Sequence, residues 1–184
     1  MEKLESVMLQ IARDAIKEQF SGRKLIDRDQ LIREYPRLGE PCAVFVTLNE
    51  RHQLRGCIGS IEAHRPLIDD IIHNAKAAAF SDSRFLPVSA DELDEISIEI
   101  SLLSKPEYVP YETVEELKRK LRPGIDGVIL RKGLYRAVFL PQVWEQLPDF
   151  YRFFEHLCKK AGLTSGCLNL HPDVFRFQVK TIEE

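Results

Sequence analysis

The chain has 184 residues, 44% apolar and 30% charged, which is the balance of an ordinary soluble globular domain and enough for one core or one core with a small lobe. Lys and Arg total 26 against 29 Asp and Glu, a formal charge of −3, so the whole protein offers no attraction to phosphate backbones and no nucleic-acid partner is expected. No apolar run approaches the roughly 20 residues that span a bilayer, and Met1-Glu2-Lys3-Leu4-Glu5 lacks the basic start and apolar stretch of a signal peptide; the expectation is a cytoplasmic protein with no membrane association.

Leu4, Val7, Met8, Ile11, Ala12 and Ala15 recur at helical spacing, predicting an amphipathic helix over residues 2–20 with Gly22 as its stop. Asp27, with Gln30 in the capping-box position, starts a short second helix. Pro36, Gly39 and Pro41 then break the chain into a loop. Cys42 to Leu48 reads as a strand, Asn49 to His52 as a polar turn, and Leu54 to Ile61 as the returning strand of a hairpin. Pro66 suits the first turn of a helix that carries Leu67, Ile68, Ile71, Ile72, Ala75, Ala78 and Ala79. Ser89 with Glu92 predicts a capped short helix at 90–95. Ile96, Ile98, Ile100 and Leu102 alternate with polar residues, the clearest half-buried strand in the chain. Thr113 with Glu116 caps a helix reaching about Leu121. A second hairpin turns at Lys132-Gly133. Phe150, Phe153, Phe154, Leu157 and Ala161 form a late helix closed by Gly162, and Val174 to Val179 reads as the final strand.

Hairpins outnumber crossovers, which predicts an α+β fold with a mainly antiparallel β-sheet packed with helices. No linker separates independent domains, so residues 1–184 read as one domain. Segments near 21–41 and 81–95 are candidates for a smaller second lobe that forms a cleft. Four cysteines, at 42, 57, 158 and 167, contain no C-x-x-C pair; free thiols are expected rather than a disulfide framework or a zinc site.

One segment concentrates chemistry: Leu54-Arg55-Gly56-Cys57-Ile58-Gly59. Strict alternation along a strand puts Arg55 and Cys57 on one face and Leu54, Gly56 and Ile58 on the other. A cation beside a thiol favours the reactive thiolate, and Gly56 and Gly59 let a ligand or another backbone approach. Cys57 is the candidate nucleophile and Arg55 the charge stabiliser; the structural alternative is a small residue at a tight contact. His52 and His64 are the bases nearest in sequence, at opposite ends of the strand. Their spacing with Cys57 matches no standard metal site, so neither a metal nor a cofactor is expected. Asp82 and Arg84 follow the Ala-rich helix. Either they serve a substrate, Asp82 pairing with Arg55 or orienting an amine and Arg84 clamping a carboxylate or phosphate, or they form an ion pair that pins the loop to the sheet. Glu99 projects from the polar side of its strand and either meets Arg55 beside Cys57 or sits on a solvated face. Asp126, between Gly124 and Gly127, reads as a tight-turn residue.

The same hexapeptide opens a series of ordered matches. They continue through Ile61-Glu62-Ala63, Arg65-Pro66-Leu67, Asn74-Ala75, Ala78-Ala79-Phe80 and Asp82-Ser83-Arg84-Phe85. Downstream come Ile98-Glu99-Ile100-Ser101, Leu103-Ser104-Lys105-Pro106-Glu107, Asp126-Gly127-Val128, Leu140-Pro141-Gln142-Val143-Trp144 and Leu157 to Leu163. With these the chain resembles the AMME chromosomal region gene 1 (AMMECR) domain family from the first helix to the last strand. The resemblance implies a compact α+β protein with a larger sheet-bearing lobe, a smaller lobe and the signature near a cleft between them. It also implies association with radical-SAM and Memo-like proteins. Two functions follow as expectations. One is an enzyme or enzyme subunit that uses Cys57, Arg55 and Glu99 on a small molecule or modified group, with Gly56, Gly59, Asp82 and Arg84 binding it. The other is a non-catalytic module whose cleft docks a peptide, metabolite or partner protein.

Overall fold

The computed structural model describes residues 2–184, and the chain divides into two compact units. The first runs to Leu103 and regains the chain at Lys180–Glu184; the second is Ser104–Val179. Both segments expected in a smaller lobe, near 21–41 and 81–95, belong to the first unit. The α+β expectation holds, with two mainly antiparallel sheets rather than one.

In the first unit, α1 (Glu2–Ser21), α2 (Arg28–Glu34) and α3 (Leu67–Phe80) accompany β1 (Val44–Glu50), β2 (Gln53–Gly59) and β3 (Ile96–Leu103), and β8 (Val179–Glu183) completes a sheet of order β2-β1-β3-β8. Alternation decides which face is buried. Val44, Val46 and Leu48 of β1 and Ile98 and Ile100 of β3 turn inward, joining Ile11, Ala12, Ala15 and Ile16 of α1 and Ile68, Ile71 and Ala75 of α3 in one core. A buried carboxylate fastens α3 to the sheet. Asp70 accepts hydrogen bonds from the Val44 N–H at 2.9 Å, the Ser60 hydroxyl at 2.7 Å and the Asn74 amide at 3.1 Å. Arg65 lies 3.1 Å away as its ionic partner. Such a charge is tolerated in a core only when its oxygens are satisfied, as here.

The second unit holds β4 (Glu107–Tyr108), α4 (Val114–Lys120), β5 (Gly127–Lys132), β6 (Tyr135–Phe139), α5 (Val143–Gln146), α6 (Phe150–Lys160) and β7 (Asp173–Phe177), with sheet order β4-β7-β5-β6. Its core is more aromatic: Trp144 stacks on Phe153 at 3.6 Å, and Phe150 and Phe154 complete the cluster. Asp126, read as a turn residue, is a buried hub. Its carboxylate takes the Arg122 N–H, the Arg122 guanidinium and the Gln178 amide, while its carbonyl takes the Trp144 indole N–H.

Three expectations change. Cys158 and Cys167 are bonded as a disulfide, because the end of α6 and a 3-10 turn at Cys167–Leu170 bring their Cα atoms to 5.7 Å, a proximity their spacing in the chain does not reveal. Residues 90–95 form turns, not a helix: Glu92 does receive the Ser89 N–H at 2.7 Å, but it is also drawn to Arg55 at 2.9 Å, and one short segment cannot offset helix nucleation. The final strand is two strands. At Gln178 the N–H goes to the Ser104 hydroxyl and the side chain to Asp126, so the chain leaves one ladder and enters the other.

Candidate functional site

A two-residue turn at Arg51–His52 joins β1 to β2, both residues at positive φ. Counting outward from the Glu50–Gln53 pair, an uninterrupted hairpin sets Thr47 opposite Gly56 and Val46 opposite Cys57, turning the sulfur toward the core. The observed register steps by one residue: Asn49 pairs with Leu54, but Leu48 pairs with Gly56 and Thr47 with Cys57. A bulge at Arg55 absorbs the extra residue. Because a one-residue slip exchanges the faces of a strand, this bulge turns Cys57 to the outer face, beside Thr47; Leu54, on the turn side of the bulge, is exposed.

Cys57 is half-buried, and its Sγ receives the Thr47 hydroxyl at 3.3 Å. Thr47 pairs in turn with Glu99 of β3, so sulfur, hydroxyl and carboxyl form one row across three strands. Burial first, and the neighbouring Glu183 carboxylate second, push the Glu99 carboxyl up from its ordinary value.

β2 is an edge strand, and a side-chain pair takes the place of the missing neighbour at Cys57. The buried Asp82 carboxylate accepts the Cys57 N–H at 3.0 Å, and Arg84 donates to the Cys57 carbonyl at 3.4 Å. Asp82 and Arg84 are themselves joined by a two-pronged contact of 3.0 and 2.7 Å. That contact, together with the Cys57 and Arg84 backbone N–H groups, holds Asp82 well below the usual carboxylate range. Asp82 raises Arg84 correspondingly, and Cys57 also acts on Arg84 electrostatically.

Arg55 lies elsewhere. Its guanidinium binds Glu92 at 2.9 Å and the Leu86 carbonyl at 2.9 Å, so neither Glu99 nor Asp82 forms the expected pair with Arg55. Arg55 and the Ser89 N–H pull Glu92 down to about 2. Both cations lie over the Phe85 ring, Arg84 at 5.5 Å and Arg55 at 6.0 Å from its centre.

The glycines serve internal packing. A Cβ at Gly56 would fall 2.2 Å from the Ala78 carbonyl oxygen of α3, and one at Gly59 would fall 2.2 Å from the Phe45 ring. Among the described residues no group of three His, Cys, Asp or Glu can hold a metal. His52 is exposed at the hairpin tip, and His64 is exposed beside Arg65.

Thr47, Phe85 and Glu92 are the site residues that sequence reasoning missed. The first depends on the bulge. The other two belong to a loop whose contacts reach back to β2. Two cavities are lined by none of the residues of the row. One of about 390 Å³ is lined by Tyr151, Phe154, Ser165 and Asn169, and one of about 270 Å³ is lined by Val7, Ile11, Leu25 and Leu31.

Fold and site therefore define an α+β protein with two antiparallel sheets and a free, hydrogen-bonded thiol on one of them. The AMMECR1 family model matches residues 9–182. A relative from Methanothermobacter thermautotrophicus is 39% identical, covering 96% of this chain and 92% of its own. One from Thermofilum pendens is 37% identical over 97% and 89%. The crystal structure of an uncharacterized protein from Pyrococcus horikoshii superposes with a TM-score of 0.80 at 34% identity, over 97% of this chain and 90% of that one. The chain belongs to the AMMECR1 family. No helix among the described residues is long and apolar enough to cross a membrane.

Proposed function

We propose that the first unit performs thiol chemistry on a small molecule, with Cys57 as nucleophile and group carrier. The observation that carries this reading is the placement of the sulfur: turned outward by the bulge and held by the Thr47 hydroxyl, on a residue whose carbonyl receives the Arg84 guanidinium. In the reaction Cys57–SH meets R–X, the S–R bond forms, the R–X bond breaks, and X departs with the thiol proton. Transfer of R to a second acceptor, Y–H, returns the proton and restores the thiol. Glu99 holds a proton to a higher pH than an ordinary carboxyl and serves as the proton reservoir of the row. Asp82 and Arg84 hold the strand edge on which the nucleophile sits. Radical-SAM and Memo-like proteins are proposed as partners that supply or consume the carried group, and co-purification of the intact chain with them tests that part.

Cys42 provides an internal control, since burial pushes its thiol up and its sulfur faces the Ala43 and Leu103 carbonyls. Iodoacetamide labelling of the folded protein, read by peptide mass spectrometry, should modify Cys57 about tenfold faster than Cys42. Labelling of Cys57 no faster than Cys42 would overturn the proposal and leave a docking module as the better account.

A further inference from the structure

We infer that the molecule taken by the Cys57 site carries a carboxylate close to its electrophilic carbon, and that Arg84 is the residue that selects it. The inference rests on the thiol reading above. A guanidinium has five N–H donors in a fixed plane. In Arg84, Nε and one N–H of Nη2 are committed to Asp82 at 3.0 and 2.7 Å, and the Cys57 carbonyl lies 3.4 Å from Nη2. The two N–H groups of Nη1 have no partner among the described residues, and 55% of the Arg84 side chain is exposed.

The cation is already oriented. The Asp82 side chain is only 4% exposed, it binds Cys57 and Arg84 through the backbone as well as the fork, and Phe85 lies alongside the guanidinium. Little freedom remains to be lost when a ligand binds, and the value of such preorganisation is that contacts made afterwards are not offset by ordering. Planar N–H donors suit a carboxylate. The arginine of the hexapeptide itself offers no such opening: Arg55 is only 13% exposed and is closed on Glu92 and the Leu86 carbonyl. One strand therefore carries a nucleophile while the loop beside it carries an anchored cation with donors to spare.

Paired alkylation tests this. Iodoacetate and iodoacetamide deliver the same CH₂ to sulfur; the S–C bond forms, iodide leaves and the thiol proton passes to solvent. They differ only in carboxylate against amide. The rate ratio of iodoacetate to iodoacetamide at Cys57 in the folded chain, divided by the same ratio in the urea-unfolded chain, should be about fivefold or more, as expected for one charge-assisted hydrogen bond at a partly exposed position. Arg84→Gln should return the ratio to the unfolded value while iodoacetamide still labels Cys57. Arg84→Lys, which keeps the charge and loses the fork, should fall between. If Arg84→Gln loses its fold by circular dichroism, the wild-type and Arg84→Lys ratios decide. A wild-type ratio equal to the unfolded one, or a high ratio unchanged in the folded Arg84 variants, overturns the carboxylate inference and leaves the thiol reading standing. Failure of both reagents at Cys57 overturns the thiol reading itself.

Discussion

The two units use the same chemical parts to opposite ends. Each has a buried aspartate bound by the guanidinium of a nearby arginine and by backbone N–H: Asp82 with Arg84 in the first, Asp126 with Arg122 in the second. Each also carries two cysteines. In the second unit the aspartate closes the turn after Arg122 and ties it to Gln178, and both sulfurs are bonded and sealed in an aromatic core. In the first unit the aspartate reaches across to a strand edge, and the sulfur there is free and half-buried. Both arginines keep an exposed side chain, so what separates the two clusters is the sulfur: a free thiol sits at the first, while the cysteines of the second unit are joined to each other.

The largest effect should come from the packing beneath the free thiol. Gly56→Ala places a methyl 2.2 Å from the backbone oxygen of Ala78, whereas Gly127→Ala in the second unit meets the Phe177 ring at 2.3 Å. A helix backbone cannot turn aside as a ring can. Gly56→Ala should cost about 3 kcal/mol or more and Gly127→Ala less, as read from urea denaturation. Equal losses would break the distinction between the two contacts.

Next in size is the disulfide. Converting Cys158 and Cys167 to Ser, or reducing the bond, should destabilise the second unit by about 2–3 kcal/mol through a looser unfolded chain. The single tryptophan, Trp144, reports this unit through its stack on Phe153. Its fluorescence melt should fall while Cys57 labelling stays unchanged. A parallel loss of Cys57 labelling would show that the two units unfold together.

A smaller effect appears in acid. Glu92 is depressed to about 2 in the folded protein, against an unfolded carboxyl near 4.3. The unfolded chain therefore binds more protons between these values. The contribution of Glu92 is fully present above the unfolded value and is lost as pH falls through about 2. Between pH 5 and 2, Glu92→Gln should flatten the decline in stability of the first unit; an unaltered slope would dissociate Glu92 from Arg55. The smallest effect is expected for Thr47→Val. It should change stability by about 1 kcal/mol or less and slow Cys57 alkylation about two- to threefold.

Most elements were legible because their causes are local. The alternation from Ile96 to Leu102, the Asp27 and Thr113 caps and the Pro66 helix start each depend on residues a few positions apart. What stayed hidden depends on distance along the chain or on a single irregular step. The register of Cys57 turns on one bulge. Its cationic neighbour, Arg84, lies 27 residues away, and the adjacent Arg55 finds Glu92 37 residues away. The disulfide needs a helix and a 3-10 turn to meet. The break at Gln178 follows from two bonds to residues 52 and 74 positions distant. Cys57, Asp82, Arg84 and Glu99 could thus be picked out as residue types, and the Asp82–Arg84 pair that pins its loop to the sheet was legible as one of two alternatives, while the partners of Cys57 and Arg55 were not.

The strand β8 imposes an order of events on synthesis. It enters the first sheet only after residues 104–179 have been made, so β3 keeps an unfilled edge while the second unit emerges from the ribosome. Arg13 on α1 likewise waits for Glu184, to which its guanidinium donates, and the Ile98 N–H waits for the same carboxylate. A nascent chain stalled before β8 would expose that edge to any neighbouring strand, making the closing segment a safeguard against aggregation as well as a piece of the sheet.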